Sequence, residues 1–319
     1  MLRYILFRIL WLIPVIIVVA FIVFSLMELA PGNVVDAMFS EDMTEEARQE
    51  LIRRFNLDRP MVYRFGLYML NLVQGNLGTF DTTGQDVWRE FIARLPNTLI
   101  LAFSALIIGT VISIPLGIIA ARRAGTLVDN TVTLFSLMGM SMPLFWLGLL
   151  LLLIFSLHLR WFPSGTFDDG LRSLVLPAIC SSFTLIANTA RQTRSNMLEV
   201  LKADYLRTAR AKGVPEKVVI RKHALGNAWI PIITAIGTSL SVQLAGAVVV
   251  EQVFAWPGIG RMAAEAVRSR DVTAATGVII MTSILYVLVQ LAVDLLYAVV
   301  DPRIKSQYVS ASKRKKRAA

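Results

Sequence analysis

The sequence predicts an all-α integral membrane protein built as a bundle of six transmembrane helices, and three observations carry that prediction. Of 319 residues, 55% are hydrophobic and only 17% charged, too little charge to cover the surface of a soluble domain of this length. Six windows are free of charged residues: 9–27, 99–121, 130–157, 173–190, 224–250 and 272–293. Each is close to the ~20 residues that cross a hydrocarbon core. The gaps between them hold nearly every charge. Helices satisfy their own backbone groups in lipid, so the windows read as a helical bundle. The expected spans lie near 9–29, 99–121, 131–157, 173–190, 228–250 and 272–296, the fourth being the shortest.

Arg3 and Arg8 precede the first window as they would a signal peptide. Its apolar stretch exceeds the 7–15 residues of a signal h-region, and Met27-Glu28-Leu29-Ala30-Pro31 is a poor cleavage site, so a retained span is expected. Cys180, the sole cysteine, falls in the fourth window. It cannot form a disulfide within the chain and reads as a buried thiol.

The net charge of +10 is unevenly distributed. Nine Lys/Arg between Arg191 and Lys222 face only Glu199, Asp204 and Glu216, and the tail ends in Lys313-Arg-Lys-Lys-Arg317. The connection from Glu28 to Arg94 instead has eleven acids against seven arginines. Short basic loops are retained in the cytoplasm. The expected topology therefore has a cytoplasmic N-terminus (1–8), an extracytoplasmic loop (30–98), a cytoplasmic loop (191–223) and a basic cytoplasmic tail (301–319). Arg122 and Arg123 agree with it. The tail suits anionic lipid rather than nucleic acid.

The 30–98 connection is too long for a simple turn. Acids at Asp42, Glu45 and Glu46 suit a helix start before Ala47–Phe55, and Asp58-Arg-Pro60 breaks that helix. Met61–Val73 resumes an amphipathic pattern that Gly75-Asn-Leu-Gly78 closes. A short helix over Gln85–Arg94 should lead through Leu95-Pro-Asn-Thr98 into the second span. The other outer loops carry Trp161-Phe-Pro-Ser-Gly165 and Trp256-Pro-Gly-Ile-Gly260. Their tryptophans read as interface anchors in preference to sites, and Pro257-Gly258 suits a type II turn. Pro115, Pro143, Pro177 and Pro231 lie in or beside spans, where each should kink its helix. No internal repeat is evident.

The span centres hold no Asp, Glu, Lys, Arg or His, which argues against proton relays, ion-coupled carriers and intramembrane hydrolases. Asp294 lies near one end of the sixth span. His158 and His223 sit at span ends, distant in sequence. HExxH, GxSxG and the P-loop pattern are all missing, so no enzyme activity is expected. If nucleotide drives transport, another chain must hydrolyse it.

One cytoplasmic segment stands out. Asp204 can cap a helix running to Lys212, Gly213 supplies a left-handed stop, and Pro215 restarts a helix in its first turn. Leu206, Ala209 and Gly213 share a face with small residues, and Arg207 and Arg210 occupy an adjacent face, ready for carboxylates. The physics of the segment leaves two readings open: a docking helix for a soluble partner, or an ordinary basic loop.

Tyr205-Leu-Arg-Thr-Ala-Arg-Ala-Lys-Gly213, followed by His223-Ala-Leu-Gly-Asn227 and Pro231, resembles the "EAA" loop of bacterial binding-protein-dependent ABC importers, specifically the B-type permease of the oligopeptide/dipeptide group. The likeness runs along nearly the whole chain. It includes Leu29-Ala-Pro-Gly32, Leu57-Asp-Arg-Pro60, Gly75-Asn-Leu-Gly78, Arg94-Leu-Pro-Asn-Thr98, Ser141-Met-Pro-Leu-Phe-Trp146 and Trp256-Pro-Gly-Ile-Gly-Arg261, ending with Val293–Arg303. Two departures from the wider importer pattern are visible: Arg207 and Thr208 fill the first two places of the Glu-Ala-Ala triplet, and Gly226 stands where Pro is usual.

The resemblance implies a permease that pairs with a second, similar permease, two cytoplasmic ATPases and an extracytoplasmic solute-binding protein. Asp204, Tyr205, Arg207, Thr208, Ala209, Arg210, Lys212, Gly213 and His223 would couple to the ATPases through the 202–217 loop. ATP and Mg²⁺ would be held by those partners, with no cofactor, metal or catalytic residue in this chain. Peptides are the expected cargo, and related systems carry nickel chelates, glutathione or sugars. Ser141 and Gln243 are candidates for the translocation path. The rival classes are an ion-coupled transporter or channel, which would run without ATPase partners, and a membrane-embedded enzyme, which would need a catalytic constellation.

Overall fold

The computed structural model describes residues 2–31, 34–38, 44–81, 83–164 and 170–300. The expected basic tail, and Asp42 of the expected helix start, lie outside the described residues. In chain order the helices are α1 (Leu2–Leu29), α2 (Val34–Met38), α3 (Glu45–Arg54), α4 (Met61–Val73), α5 (Val87–Arg122), α6 (Leu127–Ser141) and α7 (Leu144–Leu151), which runs on as a π-helical turn, Leu152–His158. They continue with α8 (Leu171–Leu201), α9 (Asp204–Ala211), α10 (Glu216–Val218, continuing as a π-helical turn, Val219–Ala224), α11 (Leu225–Val253), α12 (Ile259–Arg268) and α13 (Val272–Val300). Among the described residues the only extended pairing is an isolated bridge between Thr79 and Asp86.

Four helices, α1, α5, α8 and α13, are long and apolar enough to cross a membrane, and the number is six if each of two bent pairs is one span. The first bent pair corrects the third expected span, which is not one rod. Leu127–Ser141 and Leu144–His158 meet at 103°. Pro143 has no N–H and drives the preceding residue out of the helical region; Met142 accordingly sits at φ −83°, ψ 123°. The second pair bends by 50° around Pro231. The fourth span also differs from the short window 173–190, because α8 continues as one helix to Leu201 and carries Arg191 and Arg194 with it.

The chain divides into two compact units, residues 1–98 with 257–288 and residues 99–256 with 289–319. In the first, α4 lies on α1 through edge-on contacts of Phe65 with Phe21 and Phe24 (5.4 and 5.5 Å). Arg64, buried, pairs with Glu28. A second core gathers Leu77, Phe80, Val87 and Phe91 against Ile259, Met262 and Ala274–Val278. Thr44 starts α3 by accepting the Ala47 N–H (3.3 Å), and Glu45 and Glu46 stand in its first turn, where acids were expected.

Two expectations for this unit fail for one shared reason. α5 does not begin after Leu95–Thr98 but runs through that stretch from Val87. Pro257-Gly258 does not form a type II turn, which needs a positive φ at its third residue; Gly258 has φ −104° and precedes α12 as its N-cap. In both places tertiary hydrogen bonds override the local signal. Asn97 Nδ2 donates to the Pro257 carbonyl (2.9 Å), and Thr98 Oγ1 accepts the Ile259 N–H (2.9 Å), satisfying a free donor at the start of α12. Arg94 adds an ion pair to Glu265 (3.0 Å), which Arg261 also holds (2.7 Å).

The second unit is organised around α8. In the most apolar part of this helix 61% of residues are buried, against 17% in α1 and in α13. α11, α6 and α7 pack on it, and small residues set the approach. A Cβ on Gly117 of α5 would stand 2.6 Å from the Ala190 carbonyl oxygen of α8. One on Gly148 of α7 would stand 2.9 Å from Val253 of α11. Helices in lipid gain little from apolar burial and depend on such close contact. Cys180 is a free, buried thiol facing this packing, as expected. The two outer tryptophans separate: Trp161 is 56% exposed and fits an interface position, whereas Trp256 is 2% exposed and is a core residue.

Replacing Gly117 by Leu should force α5 from α8 and destabilise the protein by about 1–3 kcal/mol, read as a lower thermal midpoint in detergent. Gly66→Ala, at an exposed helical position with open space around it, should instead raise the midpoint by the helix-propensity gain of up to about 1 kcal/mol.

Candidate functional site: a short basic helix fixed to the bundle

α8 ends at Leu201, and only Lys202 and Ala203 separate it from α9. Backbone bonds bridge the junction: Lys202 N to Glu199 O (3.3 Å), Ala203 N to Val200 O (3.0 Å) and Leu206 N to Ala203 O (3.1 Å). Asp204 is the first residue of α9 and not its cap; Ala203 occupies the cap position and offers no side-chain bond. The Asp204 carboxylate still lies in the first turn, where the helix dipole favours an anion.

The far end of α9 is built as the sequence requires. Gly213 has φ +76°, the left-handed conformation that penalises a Cβ. Its N–H donates to Arg210 O (2.9 Å) and the Val214 N–H to Ala209 O (3.3 Å), the paired bonds of a Schellman stop. Pro215 precedes α10 as its N-cap, one place before the first turn in which it was expected. The π-helical turn that follows buries Val219, Ile220 and Ala224.

The two faces of α9 have different fates. Leu206 has no exposure and lies in a cluster with Ala121, Met197, Val219, Ile220, Ala224, Ala228 and Ile232, against which Ala209 also packs. The face of Leu206 and Ala209 is therefore turned to this chain's own bundle and is not free for a partner. Tyr205, Arg207, Thr208, Ala211 and Lys212 are exposed. Arg210 is less available than expected: its Nε and Nη2 donate to the two Glu216 oxygens, both at 3.0 Å, tying α9 to α10 across the Gly213 turn. Among the described residues Arg207 pairs with Asp204, at 3.7 Å and largely in solvent, where ion pairs are weak. Thr208 Oγ1 donates to its own helix at Asp204 O (3.1 Å). His223 is half-buried in the π-helical turn and its carbonyl accepts from Asn227 (2.9 Å).

The two translocation-path candidates are not brought to this site. Ser141 is exposed at the end of α6 and its hydroxyl donates to Leu137 O (3.0 Å). Gln243 is half-buried and donates to Ser181 O (2.9 Å), joining α11 to α8.

Sequence reasoning missed a charged pair beside the site. Asp129, 2% exposed, receives Nε of Arg194, Nη2 of the same guanidinium (2.7 Å) and the Gly125 N–H (2.9 Å). Sixty-five residues separate the partners, so no helical spacing could have paired them. It also missed two acidic residues joined in the first unit. The Asp81 N–H donates to Asp271 Oδ2 (2.6 Å), and the Ala274 N–H donates to Oδ1 of the same, fully buried group (2.8 Å). Burial, then the nearby Asp271 charge, push Asp81 up to about 7 against a smaller pull from Arg54. Burial also raises Asp271. Among the described residues no three His, Cys, Asp or Glu side chains group as metal ligands.

The family described as "Binding-protein-dependent transport system inner membrane component" matches residues 113–306. The chain belongs to this family. The permease is also similar over 96% of its length to three curated proteins. These are the "Di/tripeptide transport system permease protein DppB" of Pseudomonas aeruginosa (39% identity, all of that protein), the "Oligopeptide transport system permease protein AppB" of Bacillus subtilis (37%, all of that protein) and the "Dipeptide transport system permease protein DppB" of Escherichia coli K12 (36%, 99% of that protein). Among solved structures, an inward-facing MetNI methionine ABC transporter aligns with TM-score 0.56 at 20% identity, covering 66% of this chain and 96% of that one. An amino acid ABC transporter with histidines aligns at 0.53 and 17%, covering 67% and 94%. At those identities the structures establish the fold alone. The permease is thus a multi-pass membrane transport component and not an enzyme.

The paired carboxylates set a pH dependence. Because the folded state holds the Asp81 proton to about pH 7 and the unfolded chain releases it near 4, this group's contribution to stability falls as pH rises through that window and levels above it. Thermal midpoints at pH 5.5 and 8 should differ more for the wild type than for Asp81→Asn. Equal differences would contradict the assignment.

Proposed function

We propose that this chain is the channel-forming permease of an ATP-driven importer of short peptides. In this proposal it works beside a second, homologous permease, two cytoplasmic ATPase subunits that hold ATP and Mg²⁺, and an extracytoplasmic solute-binding protein. Both termini and the 191–223 segment face the cytoplasm, and the helices of the 30–98 connection face outside. The charge asymmetry supports this orientation. The peptide cargo is supported by relatives that match this chain over nearly their whole length, each a peptide permease by name.

The observation that carries the proposal is α9. An isolated eight-residue helix is unstable in water, yet here one is held rigid at both ends, seated on the bundle by Leu206, and left with a polar, basic outer face. A helix of this kind is suited to fill a groove on a soluble partner and to transmit its movement. Tyr205, Arg207, Thr208 and Lys212 make the ATPase contact. Asp204, Ala209, Arg210, Gly213 and His223 hold the helix and the turns around it.

Gly213→Val tests this role. A β-branched residue at positive φ costs about 1–3 kcal/mol, enough to distort the stop without unfolding the bundle. Expressed with its partner subunits, the variant should reach the membrane at the wild-type level and import radiolabelled tripeptide at a rate lowered about tenfold or more. Wild-type uptake by the variant, or uptake by the wild type without ATPase subunits, would reject the proposal.

A further inference from the structure

We propose that Asp129 and Arg194 form a pin that makes α6 and α8 move as one body, so that a displacement of α9 is delivered to the break at Ser141–Pro143; this rests on the role proposed above for α9.

The geometry supports such a path. α8 passes into α9 through a two-residue junction in which the Lys202 and Ala203 amides bond back to α8 and the Ala203 carbonyl accepts from Leu206 of α9. α6 lies antiparallel on α8, with Asp129 at its first turn meeting Arg194, and Phe135 and Gly139 further along meeting Phe183 (5.4 Å between rings) and Ala187. The far end of α6 is Ser141, where the chain leaves the helix and turns by 103°. One helix pair therefore links the candidate coupling element at one end to the sharpest bend of the second unit at the other.

The contacts along this pair differ in kind. The Phe183 and Ala187 contacts are apolar and close-packed around Gly139, where a Cβ would stand 3.1 Å from Ala187, but they carry no charge or direction. The Asp129 fork is directional and occupied from three sides: two guanidinium donors and the Gly125 amide. A shift of α8 past α6 by one residue, 1.5 Å along the helix, would stretch and misalign both guanidinium bonds while the Gly125 amide stays with Asp129, so the fork resists sliding through its two Arg194 donors. The fork thus holds register between α6 and α8 at one end as the Gly139 packing does at the other, and the Gly125 bond ties the α5–α6 turn to the same carboxylate. Asp129 and Arg194 act as positioning residues.

The test uses the full complex with its partner subunits in lipid nanodiscs and proteoliposomes. Asp129→Asn and Arg194→Gln should assemble normally and hydrolyse ATP near the wild-type rate, while ATP consumed per radiolabelled Ala-Ala-Ala imported rises about tenfold. Asp129→Glu, which keeps the charge, should stay near the wild-type ratio. A second measurement does not depend on cargo: the distance between spin labels at Thr131 of α6 and Ala211 of α9, both exposed, with and without ATP. It should hold to within about one residue's rise, 1.5 Å, in the wild type and shift by more in Asp129→Asn. An unchanged coupling ratio in both variants, a distance that behaves alike in wild type and variant, or variants that fail to assemble would each overturn the pin. Failure of the wild type to import any peptide would sink the functional proposal instead, and the spin-label distance would still decide the pin.

Discussion

Between α8 and α11 a cluster of Met197, Leu206, Val219, Ile220, Ala224, Ala228 and Ile232 closes over the inner side of α9. Removing a side chain of this size from water is worth about 1.5–3 kcal/mol, comparable with the deficit of a helix too short to stand alone. The surrounding features follow from it. The Gly213 stop lets the chain reverse, the Arg210–Glu216 fork spans that reversal, and the π-helical turn rotates Val219, Ile220 and Ala224 onto the same cluster. Burial of one face leaves the other in solvent, so a segment of 8 residues acquires a fixed orientation.

The bundle that carries this segment answers a second constraint. Backbone groups at membrane depth must be satisfied within the protein, which is why the charge-free windows became helices and why the departures concentrate at prolines. Pro143 produces a full break because Met142 is extended before it; Pro231 and Pro177 remain inside continuous helices. Association then depends on close approach at Gly117 and Gly148 and on a few buried polar bonds, such as Gln243 to Ser181. The Asp129–Arg194 pair adds a charge-assisted bond in which both oxygens of a buried carboxylate are occupied.

Composition, charge and proline positions made most of the fold legible, and the stop at Gly213 could be placed to the residue because only glycine suits a left-handed turn there. What remained illegible depended on contacts far apart in sequence. Pro96 and Gly258 carry strong local turn signals, yet Asn97 and Thr98 bind across about 160 residues to Pro257 and Ile259, with Pro96 inside α5 and Gly258 extended as the N-cap of α12. The faces of α9 could not be ranked from spacing alone, since the pattern of Leu206, Ala209 and Gly213 is the same whether it meets a partner or the chain's own core. Arg210 looked free because its acceptor, Glu216, lies beyond the turn. Two motifs that resemblance had only ordered along the chain, Arg94–Thr98 and Trp256–Arg261, meet in space at Glu265 and Ile259.

The central claim is that α9 turns its leucine inward and its basic face toward an ATPase. A photo-crosslinking amino acid placed singly at Tyr205, Leu206, Arg207 and Lys212 in the assembled complex tests it most directly. The account predicts adducts with the ATPase subunit from 205, 207 and 212, and none from 206, which should react only within this chain. Equal capture of the ATPase from 206, or no capture from any of the exposed positions in a complex that still transports, would contradict it.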